Sequence, residues 1–257
     1  MDFIKFLGTA GARFVMINQL RSSAGTWVSL NGTNIMIDPG PGTLIRCLSS
    51  KPKLNPRQLD AIILTHRHID HSNDVNLMIE AMTNGGFNRK GKVFAPRDAL
   101  EGEPVIFGYV REEVEGVEVL EEGKRYTIKN IEFDTPVRHV HGVETYGLNL
   151  YGDGVTISLI SDTRYFEGIE RHYRGDILIL NVVRMEPRED ILHLSLRDAE
   201  RIIETNRPKL AILTHFGMGM LRAKPWKLAE EMSKRLNLNV IAANDGMMVD
   251  VEKYKTK

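Results

Sequence analysis

Apolar runs, polar turns and a few strict periodicities predict the elements of this chain. Phe3 to Leu7 reads as a short strand that stops at the turn Gly8-Thr-Ala-Gly11. Thr26 to Leu30 and Asn34 to Ile37 flank Asn31-Gly32, a hairpin signal. Asp38-Pro-Gly-Pro-Gly42 ends the second of these strands, and Thr43 to Ser49 follows as a helix. Asp60 to Leu64 is a buried strand. Asn73 to Met82 carries Val75, Met78, Ile79 and Met82 on one helical stripe, closed by Gly85-Gly86. Val114 to Pro136 predicts several short strands. Tyr146 to Tyr151 and Val155 to Ile160 predict a hairpin about Gly152-Asp-Gly154, and Asp176 to Leu180 a further strand. Ser195-Leu-Arg-Asp198 has the spacing of a capping box and opens a helix through Ala199, Ile202 and Ile203. A strand over Lys209 to Leu213, a helix over Pro225 to Leu236, and strands at Val240 to Ala242 and Met247 to Val251 complete the order. β-Meanders with helices between and after them predict an α+β fold of two sheets covered outside by helices. The loops around Arg13 to Arg21, the segment Gly85 to Gly116 and the stretch Met218 to Pro225 read as shaping a pocket, and Gly85 to Gly116 reads as a lid or a surface excursion.

Composition narrows the class. The chain has 257 residues, enough for a full core, and its formal net charge is zero. No overall charge calls for nucleic acid or an anionic membrane. Two basic runs, Lys51 to Arg57 and Lys253 to Lys257, read as a solvated loop and a terminus. One cysteine, Cys47, excludes an intrachain disulfide and a thiolate metal cluster. No apolar run is long enough to span a membrane, and the N-terminus lacks a signal-peptide stretch. The expectation is a cytoplasmic protein forming one domain over 1–257.

The chemistry concentrates in His66-Arg-His-Ile-Asp-His71, three histidines and an aspartate in six residues at the end of a predicted strand. His66 and His68 alternate by two and point the same way from an extended segment. Asp70 and His71 follow in a turn and can face a second ion. Imidazole and carboxylate are ligands that Zn²⁺ accepts. Ala61-Ile-Ile-Leu-Thr-His66 is echoed by Leu210-Ala-Ile-Leu-Thr-His215, so a second strand delivers a histidine, and the halves read as similar. Asp162 ends the strand Val155 to Ile160 and can bridge two cations. His141 lies just after a predicted strand, with His139 as its rival.

This ordered set resembles the metallo-β-lactamase superfamily, whose signature is H-x-H-x-D-H followed by His, Asp and His. The resemblance covers nearly the whole chain. Asp38-Pro-Gly-Pro-Gly42 looks like the family's early Asp-x-Gly turn, and Asn244-Asp-Gly-Met247 like its closing strand entry. It implies an αββα four-layer sandwich of two mixed sheets with metals at the edge where the sheets meet. Carried over, one metal takes His66, His68 and His141. The other takes Asp70, His71 and His215, and Asp162 bridges them. The resemblance favours His141 over His139, because Gly147 follows it at the spacing of the tRNase Z-like branch. His193-Leu-Ser-Leu-Arg-Asp-Ala199 is similar to an extra histidine motif of tRNase Z and of cyclic phosphodiesterases. There the histidine serves the leaving-group side. Arg21 is a candidate phosphate contact, and Asp38 a group that orients a ligand histidine.

What the resemblance implies is a dinuclear metal-dependent hydrolase: a phosphodiesterase activating a water between its metals, on a small or cyclic phosphodiester. Asp70 is then both ligand and proton acceptor, and His193 the general acid. Zn²⁺ suits the ligands best; Mn²⁺ and Fe²⁺ also fit. A lactonase or thioesterase on the same scaffold is the alternative, followed by an RNA-processing nuclease and last by a metal-stabilised binding protein without turnover. Nucleic acid is the less favoured partner. Only about twenty residues separate His141 from Asp162, too few for the tRNA-gripping arm of tRNase Z. No inserted domain of the β-CASP kind is present. Cys47 is misplaced for a β-lactamase ligand, and His68 stands where flavodiiron proteins usually have Glu.

Overall fold

The structure, a computed structural model, describes residues 1–23 and 25–256. Lys257, the end of the second basic run, lies outside the described residues, as does Ala24. In chain order, β1 (Phe3–Phe6) is followed by α1 (Ala12–Ile17) and the hairpin β2 (Thr26–Leu30) and β3 (Thr33–Ile37). Asn31 and Gly32 turn this hairpin at φ of 51° and 72°, the pair of positive angles a two-residue loop requires. Then come α2 (Thr43–Ser49), β4 (Ala61–Ile63), α3 (Ile69–Ser72), α4 (Val75–Thr83), β5 (Lys92–Ala95), α5 (Arg97–Leu100) and α6 (Gly108–Arg111). The strands β6 (Gly116–Val119), β7 (Lys124–Ile128), β8 (Ile131–Thr135), β9 (Leu148–Gly152), β10 (Val155–Ile160), β11 (Ile177–Arg184) and β12 (Leu194–Ser195) follow. The chain closes with α7 (Leu196–Asn206), β13 (Leu210–Thr214), α8 (Met218–Arg222), α9 (Pro225–Leu236), β14 (Val240–Ala242) and β15 (Met248–Asp250).

Among the described residues these strands form two mixed sheets. One runs β15-β1-β2-β3-β4-β5-β6; the other runs β14-β13-β11-β10-β9-β8-β7, with β12 beside β11. Each sheet changes character partway. β1, β2 and β3 are antiparallel neighbours, but β3 pairs parallel with β4. Likewise β8, β9 and β10 are antiparallel, but β10 pairs parallel with β11. Asp38 and Asp162 each follow the strand at which that switch occurs. Strand ends at such switch points are where open sheets leave room for ligands.

The inner faces of both sheets share one core that includes Ile35, Ile63, Phe94, Phe133, Ile157 and Ile212. Phe133 meets Phe94 edge-on at 5.0 Å and stacks on Tyr126 at 4.9 Å, pairs that each add about 1 kcal/mol beyond area burial. A second core lies under α2 and α4, and a third under α7 and α9. The α4 stripe Val75, Met78, Ile79 and Met82 is buried as its spacing predicts. Ser195 and Asp198 make both bonds of the capping box. The result is the αββα sandwich, helix layers outside two sheets.

The structure corrects three local readings. Arg13 to Arg21 is not simply a loop, since α1 starts it, and Met218 to Arg222 is helix α8. Gly85 to Gly116 holds β5, α5 and α6, and its strand is central enough to pair with both β4 and β6. Among the described residues no helix is long and apolar enough to cross a membrane.

Candidate metal centre

β4 is fully buried, so the chain leaves its end with little freedom. His66 emerges fully buried, and His68 sits at the N-cap of α3, whose single turn carries Asp70 and His71. Gly40 lets this turn pack closely: a Cβ on it would lie 1.9 Å from the carbonyl oxygen of Asp70. β13 delivers His215, whose φ of 60° turns the chain away at once. Here Gly11 makes the close approach, with a Cβ position 2.0 Å from the His215 carbonyl oxygen. Asp162 follows β10 and is buried; His141 comes from an irregular segment after β8, and His193 directly precedes β12.

These side chains converge. Donor atoms of His66, His68 and His141 lie within 4.8 Å of one another, as do those of Asp70, His71 and His215. Asp162 stands among them: its Oδ2 is 3.8 Å from His66 Nε2, 3.5 Å from His71 Nε2 and 3.4 Å from His193 Nδ1. Its Oδ1 is 3.4 Å from His215 Nε2 and accepts a 2.9 Å bond from Asn181 Nδ2. The structure thus brings all eight candidate residues to one edge of the sandwich. Asp38, Asp162 and these histidines offer two further overlapping donor groups, Asp38 with His66 and His71, and Asp162 with His141 and His193.

Protein partners fix the rings. His66 Nδ1 meets Thr65 Oγ1 at 3.1 Å, His71 Nδ1 meets Asp38 Oδ2 at 2.9 Å, and His141 Nδ1 meets the Leu192 carbonyl at 2.8 Å. That leaves His66 Nε2, His71 Nε2, His193 Nδ1 and His215 Nε2 buried without hydrogen-bond partners. Each such atom costs about 1–3 kcal/mol unless something satisfies it. Facing nitrogens and carboxylates with held outer atoms are what a divalent cation satisfies, so the donor set fits one.

Protonation follows the same geometry. Burial, then the neighbouring His71, pulls His66 well below the usual histidine range, and burial with His141 pulls His68 down. Burial opposes charge on His71 too, but Asp70, Asp38 and Asp162 override it and hold that ring well above its ordinary value. Burial likewise opposes charge on Asp162, yet His215, His193 and His71 keep it well below the carboxylate range. His193 is pulled to about 4 by burial, against Asp162.

His139 lies apart from the donor groups. It is buried, with Nε2 2.8 Å from the Tyr173 hydroxyl and Nδ1 3.3 Å from the Asp162 carbonyl oxygen. Gly147 keeps that corner open, its Cβ position only 2.5 Å from the Tyr173 hydroxyl and 2.8 Å from His139 Nε2. Arg21 Nη1 bonds Asn244 Oδ1 at 3.0 Å and lies 4.0 Å from Asp245. Sequence reasoning missed Asn181, Tyr173 and Thr65. Thr65 ties this corner together: its N–H and hydroxyl both donate to Asp38, at 2.6 and 2.7 Å, and its hydroxyl oxygen faces His66 Nδ1. The threonine before each histidine of the repeated phrase was the available signal for it; Asn181 and Tyr173 had none.

A family model for the β-lactamase superfamily domain matches residues 33–216. An uncharacterized protein of Methanocaldococcus jannaschii is 30% identical over 268 residues, covering 99% of this chain and 97% of its own length. A ribonuclease Z of Methanopyrus kandleri is 24% identical over 97% of this chain and 98% of itself. The solved structure of a diphosphatase from the PhnP family superposes with a TM-score of 0.72 at 21% identity, covering 97% of this chain and 98% of that one.

Proposed function

The chain belongs to the metallo-β-lactamase superfamily of metal-dependent hydrolases, and from that premise we propose that it is a phosphodiesterase for a small or cyclic phosphodiester. The observation that carries this reading is His193. It belongs to neither of the two three-residue donor groups at the strand ends, yet it lies 3.4 Å from Asp162 and its ring centroid 5.0 Å from that of His141. A side chain that can serve the departing oxygen, set beside a cation site, suits alkoxide loss from phosphorus more than opening of a lactone or thioester. The relatives support the same chemistry, one being a ribonuclease Z and a structural neighbour a diphosphatase.

His66, His68 and His141 would hold one divalent cation, Asp70, His71 and His215 the other, with Asp162 between them. Zn²⁺ suits these ligands, as do Mn²⁺ and Fe²⁺. Such a pair would supply acidified water and a Lewis acid for the phosphoryl oxygen. Asp70 would accept a proton from that water. Asn181 fixes Asp162 through Oδ1 and so aims Oδ2 at His66, His71 and His193. His193, pulled to about 4 by burial, is neutral at pH 7; an anionic substrate would raise its affinity for a second proton, and the imidazolium so formed would pass that proton to the departing oxygen. Asp38 holds His71 in its tautomer. The reading takes 1–257 as one domain of two similar halves. Between His141 and Asp162 the chain forms β9 and β10, which favours a small substrate over tRNA.

The test is hydrolysis of bis(p-nitrophenyl) phosphate by protein loaded with Zn²⁺ or Mn²⁺, beside a chelated sample and the Asp70→Asn and His193→Ala variants. Turnover should require metal and fall about a hundredfold or more in Asp70→Asn. His193→Ala should slow an alkyl phosphodiester more than the nitrophenyl ester, whose leaving group needs no proton. A fully metallated protein that ignores phosphodiesters but opens lactones or thioesters would replace this reading with the alternative.

A further inference from the structure

A cavity of about 430 Å³ lies beside the histidine cluster without being part of it. Its walls include Phe14, Val183, Met185 and Met218, with Arg184 and Glu186 among them. The fold ties it to the proposed catalytic edge on two sides. β11 lies between β10 and β13, whose ends present Asp162 and His215. Arg184 pairs in register with Ser195, two residues beyond His193, and the Gly217 N–H, two beyond His215, bonds the Val183 carbonyl at 3.2 Å.

Arg184 is the unexplained group here. It ends a strand that is otherwise buried, and its Nε is buried with no hydrogen-bond partner. Glu186, the acidic group on the same wall, is taken by Arg197 at 2.7 Å. Asp190, on the same connection, is paired with Arg188 and feels Arg184 only through space, with no hydrogen bond or salt bridge between them. A guanidinium partly removed from water with no carboxylate bonded to it is costly unless an anion arrives. Opposite this cation the cavity is apolar, and the Phe14 ring is 63% exposed, an uncovered face for stacking. The volume is in the range of small-molecule subsites.

We propose that this cavity is the subsite for one ester arm of the substrate, and that the arm is an aromatic or heteroaromatic ring system carrying a second anionic group. Phe14, Met185 and Met218 take the ring, and Arg184 takes the anion with its fork of N–H donors. Arg184 is thereby a specificity residue, which sorts substrates by the charge on the arm that does not react. The inference rests on the phosphodiesterase reading.

Two esters separate the possibilities: thymidine 5′-(p-nitrophenyl phosphate) with and without a 3′-phosphate. With metal-loaded enzyme the 3′-phosphate should lower KM about tenfold or more. Calorimetry on metal-free protein should show the same gain for thymidine 3′,5′-bisphosphate over thymidine 5′-phosphate. Arg184→Gln should abolish the gain, Arg184→Lys should keep part of it, and Phe14→Ala should weaken both ligands severalfold. Arg184→Gln should not lower Tm, since no protein bond is lost; a structural role predicts a fall. A gain that is absent, or that survives Arg184→Gln, while both esters are hydrolysed, would overturn the subsite alone. Unchanged binding in Phe14→Ala would overturn the aromatic arm. No turnover of any phosphodiester by metallated protein would remove the phosphodiesterase reading and this inference with it.

Discussion

The exits of β4 and β13 begin from nearly the same phrase, Ala-Ile-Ile-Leu-Thr-His and Leu-Ala-Ile-Leu-Thr-His, and then part. Both strands are fully buried and pair parallel with both neighbours. After β4 the chain keeps ordinary backbone angles, with His68 at φ −59°, and coils into α3. It therefore presents four donors in one pass. After β13 the histidine itself takes the left-handed conformation, at a cost of about 1–2 kcal/mol for a residue with a Cβ, and the chain leaves with a single donor presented. The strand decides where a histidine emerges; the backbone of the next few residues decides how many companions it has. Each exit is pressed against a glycine from elsewhere, Gly40 for the first and Gly11 for the second.

That contrast can be broken most directly at the histidines. His66→Ala, at the crowded exit, should lower kcat of the loaded enzyme by about a thousandfold, and His215→Ala by about a hundredfold. Metal content measured beside turnover should fall in both. Equal losses would mean that the number of neighbouring donors does not matter.

The glycines sharpen what the exits share. Gly11→Ala and Gly40→Ala each force a methyl group into backbone and should cost about 3 kcal/mol, a fall in Tm of roughly 6–12 °C in chelated protein. Gly108→Ala, where a Cβ meets nothing within 4 Å, serves as the control and should stay within about 0.5 kcal/mol. Asp38 belongs to the first exit alone. Asp38→Asn should weaken metal affinity about 10–100-fold by loosening His71, with little change in Tm beyond the lost bonds to Thr65.

His139 serves neither exit. Burial holds it at about 3, opposed by its bond to the Asp162 carbonyl. Its folded value is below its unfolded value, so between about pH 6.5 and 3 the unfolded chain carries the extra proton. Stability from this group is therefore present above that window and lost as pH falls through it. In chelated protein the slope of Tm against pH across the window should be shallower in His139→Gln than in the parent.

Much of the architecture was legible because its signals are local. Asn31-Gly32, the α4 stripe and the Ser195 capping box each need only a few neighbouring residues, and each forms. The six-residue histidine run announced its chemistry for the same reason. What escaped was short or remote. Helix α1 has six residues, no side-chain cap, and exposed apolar groups in Phe14 and Ile17, so no periodicity could establish it. β5 is a four-residue run with three consecutive buried positions and no alternation. Asn181 and Tyr173 act on residues 19 and 34 positions away, and only the fold brings them there.

The donors at the open edge come from both sheets: Asp38, His66 and the α3 turn follow strands of one, Asp162 and His215 strands of the other. A cation held among them is a rivet between two layers that otherwise meet there mainly through unsatisfied nitrogens. The unfolded chain scatters the same groups over about 180 residues and cannot match that affinity, so free metal would draw the folding equilibrium toward the native state. Loading with such a cation should then raise Tm even in the absence of substrate.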